Sequence, residues 1–142
     1  MEKQFNPIQV THWLNTGLSQ QDAEFLASVQ YEGYTITLER QEEDESPRGQ
    51  FDDPSALKWV QKQIMEGNEW GWFCARVIVG GQFPCEEHED EYLGCCSYRD
   101  RNDFIRDGYF IDMVRQCYDR LKAKARETAL STSARLAAAM GR

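Results

Sequence analysis

The stretch 73–79 is the feature that most limits what this chain can fold into. Phe73, Ala75, Val77 and Val79 make one wholly apolar face, and Cys74, Arg76 and Ile78, with Trp72 before them, make the other. Side chains alternate across a strand with a period of two, so this segment reads as a strand with one face made for a core. Gly80, Gly81 and Pro84 break it. A further strand is predicted over 92–98, after an acidic connection that contains Glu86, Glu87, Glu89, Asp90 and Glu91. That connection holds no crossover helix, so the two strands are expected to run antiparallel. Gly94 is expected to mark a bulge or a close backbone approach. Earlier in the chain, Tyr34, Ile36 and Leu38 alternate with Thr35, Thr37 and Glu39, the pattern of a half-buried strand.

Helices surround these strands. Asn6-Pro7 has the form of an N-cap followed by proline at the first helical position, and Gly17 is a stop after Val10, Trp13 and Leu14. Ser19 opens a second helix with Asp22 three residues on, and Phe25, Leu26 and Val29 give it an apolar stripe. The pair invites a helix-turn-helix reading, but 20–30 contains no Lys or Arg and carries Asp22 and Glu24. A helix entering a major groove brings cations to the phosphates, so a plain helical hairpin is expected. Residues 41–52 are polar and acidic and read as a loop. Asp53-Pro54 then caps a helix with Ala56, Leu57, Val60 and Ile64 on one side, ended by Gly67-Asn68.

After Gly108, Phe110, Met113, Val114, Cys117 and Leu121 recur at helical spacing. Beyond Leu121 the stripe weakens to alanines. Ser131, Thr132 and Ser133 are poor helix formers, so the helix is expected to restart over 134–140 or to fray. The fold class is therefore α+β: a small antiparallel sheet of about three strands, with an N-terminal helical hairpin, a middle helix and a long C-terminal helix packed on it. The 142 residues suit a single globular domain over 1–142, with 122–142 a basic, projecting or frayed C-terminal helical segment.

Charge divides the chain unevenly. Residues 1–114 hold 22 acids and 9 Lys and Arg, whereas 115–142 hold 2 acids and 7 bases. An acidic body repels phosphates, which argues against direct nucleic-acid binding and suits binding to a basic surface that ordinarily holds nucleic acid. The ordinary role of such runs is solubility. No apolar run approaches the roughly 18–20 residues of a membrane span, and residues 1–6 lack a charged-then-apolar signal pattern. A cytoplasmic protein, with no membrane contact, is expected.

The five cysteines are Cys74, Cys85, Cys95, Cys96 and Cys117. An odd number with no secretory signal fits free thiols. Cys85, His88 and Cys95 offer ligand types without paired C-x-x-C spacing, so no structural zinc or other cofactor is expected. His12 has no identifiable partner, and no nucleophile elbow, phosphate loop, zincin or dinucleotide motif is present, so no catalytic residue is assigned. Arg99, Arg101 and Arg106 follow the last strand and, with nearby aromatics, form a candidate phosphate or nucleotide grip. Trp59, Trp70, Trp72, Tyr92, Tyr98, Tyr109 and Phe110 gather around the strands, where core packing is their usual role.

Three stretches combine into a recognisable pattern: W-G-W-F-C-A-R-V at 70–77, Y-L-G-C-C-S-Y at 92–98, and D-F at 103–104 with G-Y-F-I-D-M at 108–113. Together they resemble small accessory proteins of bacterial phages and prophages. The opening T-H-W-L-N-T-G at 11–17 resembles them less specifically. The resemblance carries no catalytic residue over. It implies a bacterial host cytoplasm and an accessory, anti-defence role such as anti-CRISPR activity.

The leading expectation is a non-enzymatic inhibitor of a host nucleic-acid-binding defence protein, a CRISPR effector or a restriction enzyme. It would act as a nucleic-acid mimic through Glu42, Glu43, Asp44, Glu45, Glu86, Glu87, Glu89, Asp90 and Glu91, with Trp70 and Tyr92 as apolar anchors. Two alternatives stand beside it. One is a module for a nucleotide signal, held by Arg99, Arg101 and Arg106. The other is a phage structural or assembly protein acting through the basic C-terminal helix, for which a homodimer pairing that helix with another subunit's acids is a natural form.

Overall fold

The computed structural model describes residues 4–81 and 87–141. Its elements run α1 (Pro7–Leu14), α2 (Gln20–Tyr31), β1 (Thr35–Gln41), α3 (Pro54–Met65), a 3-10 turn (Glu69–Gly71), β2 (Phe73–Gly80), β3 (His88–Cys96), α4 (Arg101–Ile105) and α5 (Tyr109–Met140). The strands form one antiparallel sheet in the order β1-β2-β3. α1, α2, α4 and α5 supply the residues that share the core with the apolar face of this sheet, and the layout is α+β.

A side-chain cap starts each of α1 to α4, whereas α5 begins after Gly108 without one. The Asn6 side chain accepts from the Ile8 amide at 2.9 Å, Ser19 from Asp22 at 3.2 Å, Asp53 from Ser55 at 2.9 Å and Asp100 from Asp103 at 2.8 Å. Each satisfies an amide that a helix start would otherwise leave without a partner. Gly17 turns the chain between α1 and α2 at φ +101°, and a Cβ there would lie 2.8 Å from Arg106 Cδ. A side chain there would be strained by the backbone and would have to push the Arg106 side chain aside.

Register decides what the sheet buries. Ile36 lies opposite Val79, Leu38 opposite Val77 and Leu93 opposite Ala75, so these share the apolar face of β2. Phe110, Met113, Val114, Cys117 and Leu121 of α5 are buried, as are Val10 and Trp13 of α1 and Phe25, Leu26 and Val29 of α2. An aromatic chain ties the layers together. Phe104 sits 5.6 Å from Phe73 and 6.5 Å from Phe110, and Trp13 lies 5.7 Å from Phe110. These spacings suit edge-to-face and tilted packing.

Three features differ from the reading of the sequence. β3 begins at His88 rather than at 92, because its acids find cations on both faces of the sheet, as described below. α5 neither breaks nor restarts at Ser131, Thr132 and Ser133; one helix continues to Met140. The alanines on either side favour the helical state enough to carry it across. α3 buries only Val60, and its Trp59, Ile64 and Met65 are exposed. Every described residue of α5 beyond Lys122 is exposed, so about 18 residues of helix, about 27 Å, extend past the packed core. Among the described residues no helix is long and apolar enough to cross a membrane.

Candidate functional site

The two acidic runs have different fates. In the second, alternation along β3 sends Glu89 and Glu91 to the helix-covered face, opposite Val79 and Val77. There Arg120 of α5 donates from Nε to Glu89 at 3.1 Å, from Nη1 to Glu91, and from Nη2 to the Asp90 carbonyl at 2.9 Å. Lys124, one turn later, also pairs with Glu89. The bond to Lys124, aided by Arg120, holds the Glu89 carboxyl below its ordinary range. Asp90 points to the other face, where Arg76 donates to it from Nη2 at 2.8 Å and Nε at 3.1 Å, and to Glu39 from Nη1 at 3.3 Å. The Arg76 guanidinium also lies 5.5 Å from the centre of the Tyr92 ring. Glu87 is exposed just before β3, and Glu86 lies outside the described residues.

The first run sits in the connection between β1 and α3, folded over the uncovered end of the sheet. Two contacts staple it there. The Trp72 indole donates to the Glu45 carbonyl at 2.9 Å, with Phe51 against the same ring at 5.9 Å. The Cys95 thiol lies 3.6 Å from the Glu43 carboxylate. Glu42, Asp44 and Glu45 are exposed, and no described cation pairs with any of them. Beside them opens a shallow hollow of about 330 Å³ lined by Arg40, Glu42, Glu43, Glu69 and Trp72 among others. Its one guanidinium, Arg40, is 3.8 Å from Glu69.

The two aromatic anchors also separate. Tyr92 is 54% exposed on the uncovered sheet face. Trp70 is half-buried against Phe73 at 4.9 Å, and its carbonyl accepts the Tyr98 amide at 2.7 Å. Its surroundings are those of a core residue.

The three arginines do not converge. Arg99 and Arg101 are exposed at the start of α4, whereas Arg106 pairs with Asp103 at 3.1 Å and lies against Gly17. Tyr98 donates to Asp107, and burial, then that bond, pushes its phenol above its usual range. Each described thiol is shifted toward its protonated form. Burial pushes Cys96 up to about 12 and Cys117 up to about 11. Cys74 and Cys95 are raised by partial burial and then by Glu43. His12 is exposed, with its ring edge-on to Trp13 at 5.2 Å. Among the described residues no group of three or more His, Cys, Asp and Glu is placed to hold a metal ion; Cys85 lies outside them.

Reasoning from the sequence missed Arg76 and Arg120, each of which binds two acids. The available signal was the alternation of 88–92: with Tyr92 on one face, Asp90 shares it and Glu89 and Glu91 take the other. No protein-family model matches this chain, and no curated protein or solved structure matches it significantly.

Proposed function

We propose that this chain is a non-enzymatic binding protein that docks its acidic loop, residues 42–45, on the basic surface of a nucleic-acid-binding protein. The observation that carries the reading is the set of exposed loop carboxylates of Glu42, Asp44 and Glu45, left without described cations in a protein whose strand acids Glu39, Glu89, Asp90 and Glu91 all meet one. A loop held by Trp72 and Cys95 presents them with part of the ordering cost already met, which favours affinity. A basic groove would draw them in over roughly a Debye length and close charge-assisted hydrogen bonds on contact.

The second acidic run contributes less to this surface than the first. Glu89, Asp90 and Glu91 already have cations, and opening those pairs would subtract from any gain. The resemblance of 70–77, 92–98 and 103–113 to phage accessory proteins points the proposal to a bacterial cytoplasm and to a host defence complex, a CRISPR effector or restriction enzyme, as the class of partner.

The test is capture from a bacterial lysate on immobilised protein, with and without competing duplex DNA, at two salt concentrations. Wild type should retain a nucleic-acid-binding protein that high salt releases and duplex DNA displaces. The variant Glu42→Gln/Asp44→Asn/Glu45→Gln, which keeps Glu43 and its contact to Cys95, should retain at least about tenfold less, since 1.4 kcal/mol lost over three contacts suffices. Equal retention by the variant, with the same salt dependence, would refute docking through this loop.

A further inference from the structure

The register of β2 against β3 slips at one place. Phe73 pairs with Cys96 and Ala75 with Leu93, so Cys74 faces two residues, Gly94 and Cys95. This is a bulge. The partners on either side, Cys96 and Leu93, belong to the helix-covered face, so the bulge turns Cys95 to the uncovered face that Cys74 occupies. Both cysteines are free and only half-buried, whereas Cys96 and Cys117 lie in the core. Cys95 is also the one non-glycine residue with positive φ, +56°, among the described residues. A backbone in the left-handed region costs about 1–2 kcal/mol for a side chain other than glycine or asparagine. A cysteine is thus held in a conformation that glycine would occupy freely, across from a second cysteine. Glu43 accepts from the Cys95 thiol at 3.6 Å and lies 3.4 Å from where a Cβ on Gly94 would stand, so a carboxylate caps the pair.

We propose that Cys74 and Cys95 are a cross-strand dithiol that closes to an intramolecular disulfide by exchange with a small-molecule disulfide, with the Glu43 carboxylate as a brake on the reaction. In the first step the Cys74 thiolate attacks one sulfur of oxidised glutathione, forming a mixed disulfide and expelling one glutathione thiolate. The Cys95 thiolate then attacks Cys74 Sγ, forming the Cys74–Cys95 bond and expelling the second. Two protein thiols are oxidised by two electrons, the small disulfide is reduced to two thiols, and the thiol protons pass by way of solvent to the leaving thiolates. Burial first, and then the acids facing the pair from the loop, Glu43 with Asp44 and Glu45, disfavour the thiolates and slow the exchange. Nothing in this depends on what the acidic loop binds.

The experiment treats the folded full-length protein with oxidised glutathione, alkylates the remaining thiols, and maps linkages by peptide mass spectrometry. Wild type should lose two of its five thiols into one linkage joining Cys74 to Cys95. Cys95→Ser should instead stop at a glutathione adduct on Cys74. Glu43→Gln should speed closure, because removing the carboxylate charge favours the thiolates, a gain offset only in part by weaker nucleophilicity with a Brønsted slope of about 0.5. A linkage through Cys85 or Cys96, a linkage persisting in Cys95→Ser, or only intermolecular products would overturn the dithiol. A rate unchanged or slowed in Glu43→Gln would overturn the brake.

Discussion

Phe110 is where the packing of the long helix is tested most directly. Its side chain is fully buried, with Trp13 of α1 at 5.7 Å and Phe104 of α4 at 6.5 Å, so it joins three helices on the apolar face of the sheet. Phe110→Ala removes the ring and leaves a cavity that neighbours from separate elements fill poorly. The expected cost is about 3–5 kcal/mol. A chain of this length has an unfolding entropy of about 0.3 kcal/mol/K, so each kcal/mol moves the melting temperature about 3 °C and the loss amounts to about 10–15 °C. Leu121 supplies the internal comparison. It is the last buried residue of α5, 5% exposed, where the helix leaves the body. Leu121→Ala should fall toward the lower end of its class, about 2–3 kcal/mol, because the site opens to solvent on one side. Thermal melts by near-ultraviolet circular dichroism, repeated as urea titrations, measure both. A melting temperature for Phe110→Ala within about 3 °C of wild type, or a larger loss for Leu121→Ala, would refute this packing.

Three other outcomes are expected. Arg120→Met should cost about 1–2 kcal/mol at pH 7, since Glu89 keeps Lys124 but Glu91 loses its cation. Lys124 first and then Arg120 hold the folded Glu89 carboxyl below its ordinary value, so Arg120's share of this stabilisation is present above about pH 4.5 and is lost as pH falls through the folded value. Urea titrations from pH 7 to pH 3 should therefore fall less steeply for the variant, and parallel curves would count against the clamp. Removing residues 126–142 should leave the melting temperature within about 2 °C of wild type, because every described residue there is exposed, while the helical circular dichroism signal drops. Gly17→Ala should cost about 1–2 kcal/mol in a thermal melt through its positive φ and its approach to Arg106.

The periodicities that set the fold were legible because each is local. The apolar faces of 73–79 and 110–121, and the caps Asn6, Ser19 and Asp53, act through neighbours a few residues away. The candidate site was legible only as composition. Whether Glu45 or Glu91 meets solvent is settled by residues about 30 positions distant, Trp72 holding the loop of the first and Arg120 covering the second. Sequence places both acids in polar connections; only register shows that one lies within strand β3 with a cation above it. The bulge shows the same division. Gly94 signals an irregularity, but the strained position falls on Cys95, because the register slip and not glycine's freedom sets the turn of the chain.

The same distribution of partners argues against the root of the basic segment as a nucleic-acid arm. Seven cations lie in 115–142, a count that would suit contacts to phosphate. Yet Arg120 is committed to Glu89 and Glu91, Lys124 to Glu89 and Lys122 to Glu32 at 3.4 Å, while Arg115 lies over the Phe25 ring at 4.3 Å. The root of the long helix therefore meets the body's own acids, in effect as an internal counter-charge. What this neutralises is the β3 end of the sheet and the C-terminal end of α2. None of these cations pairs with the loop at 42–45, which Trp72 anchors through the Glu45 carbonyl. The asymmetry that the sequence displays between its two halves becomes, once folded, an asymmetry between two ends of the sheet, and the end bearing Glu42, Asp44 and Glu45 keeps exposed acids that no described cation pairs with, the charge that the proposed docking would use.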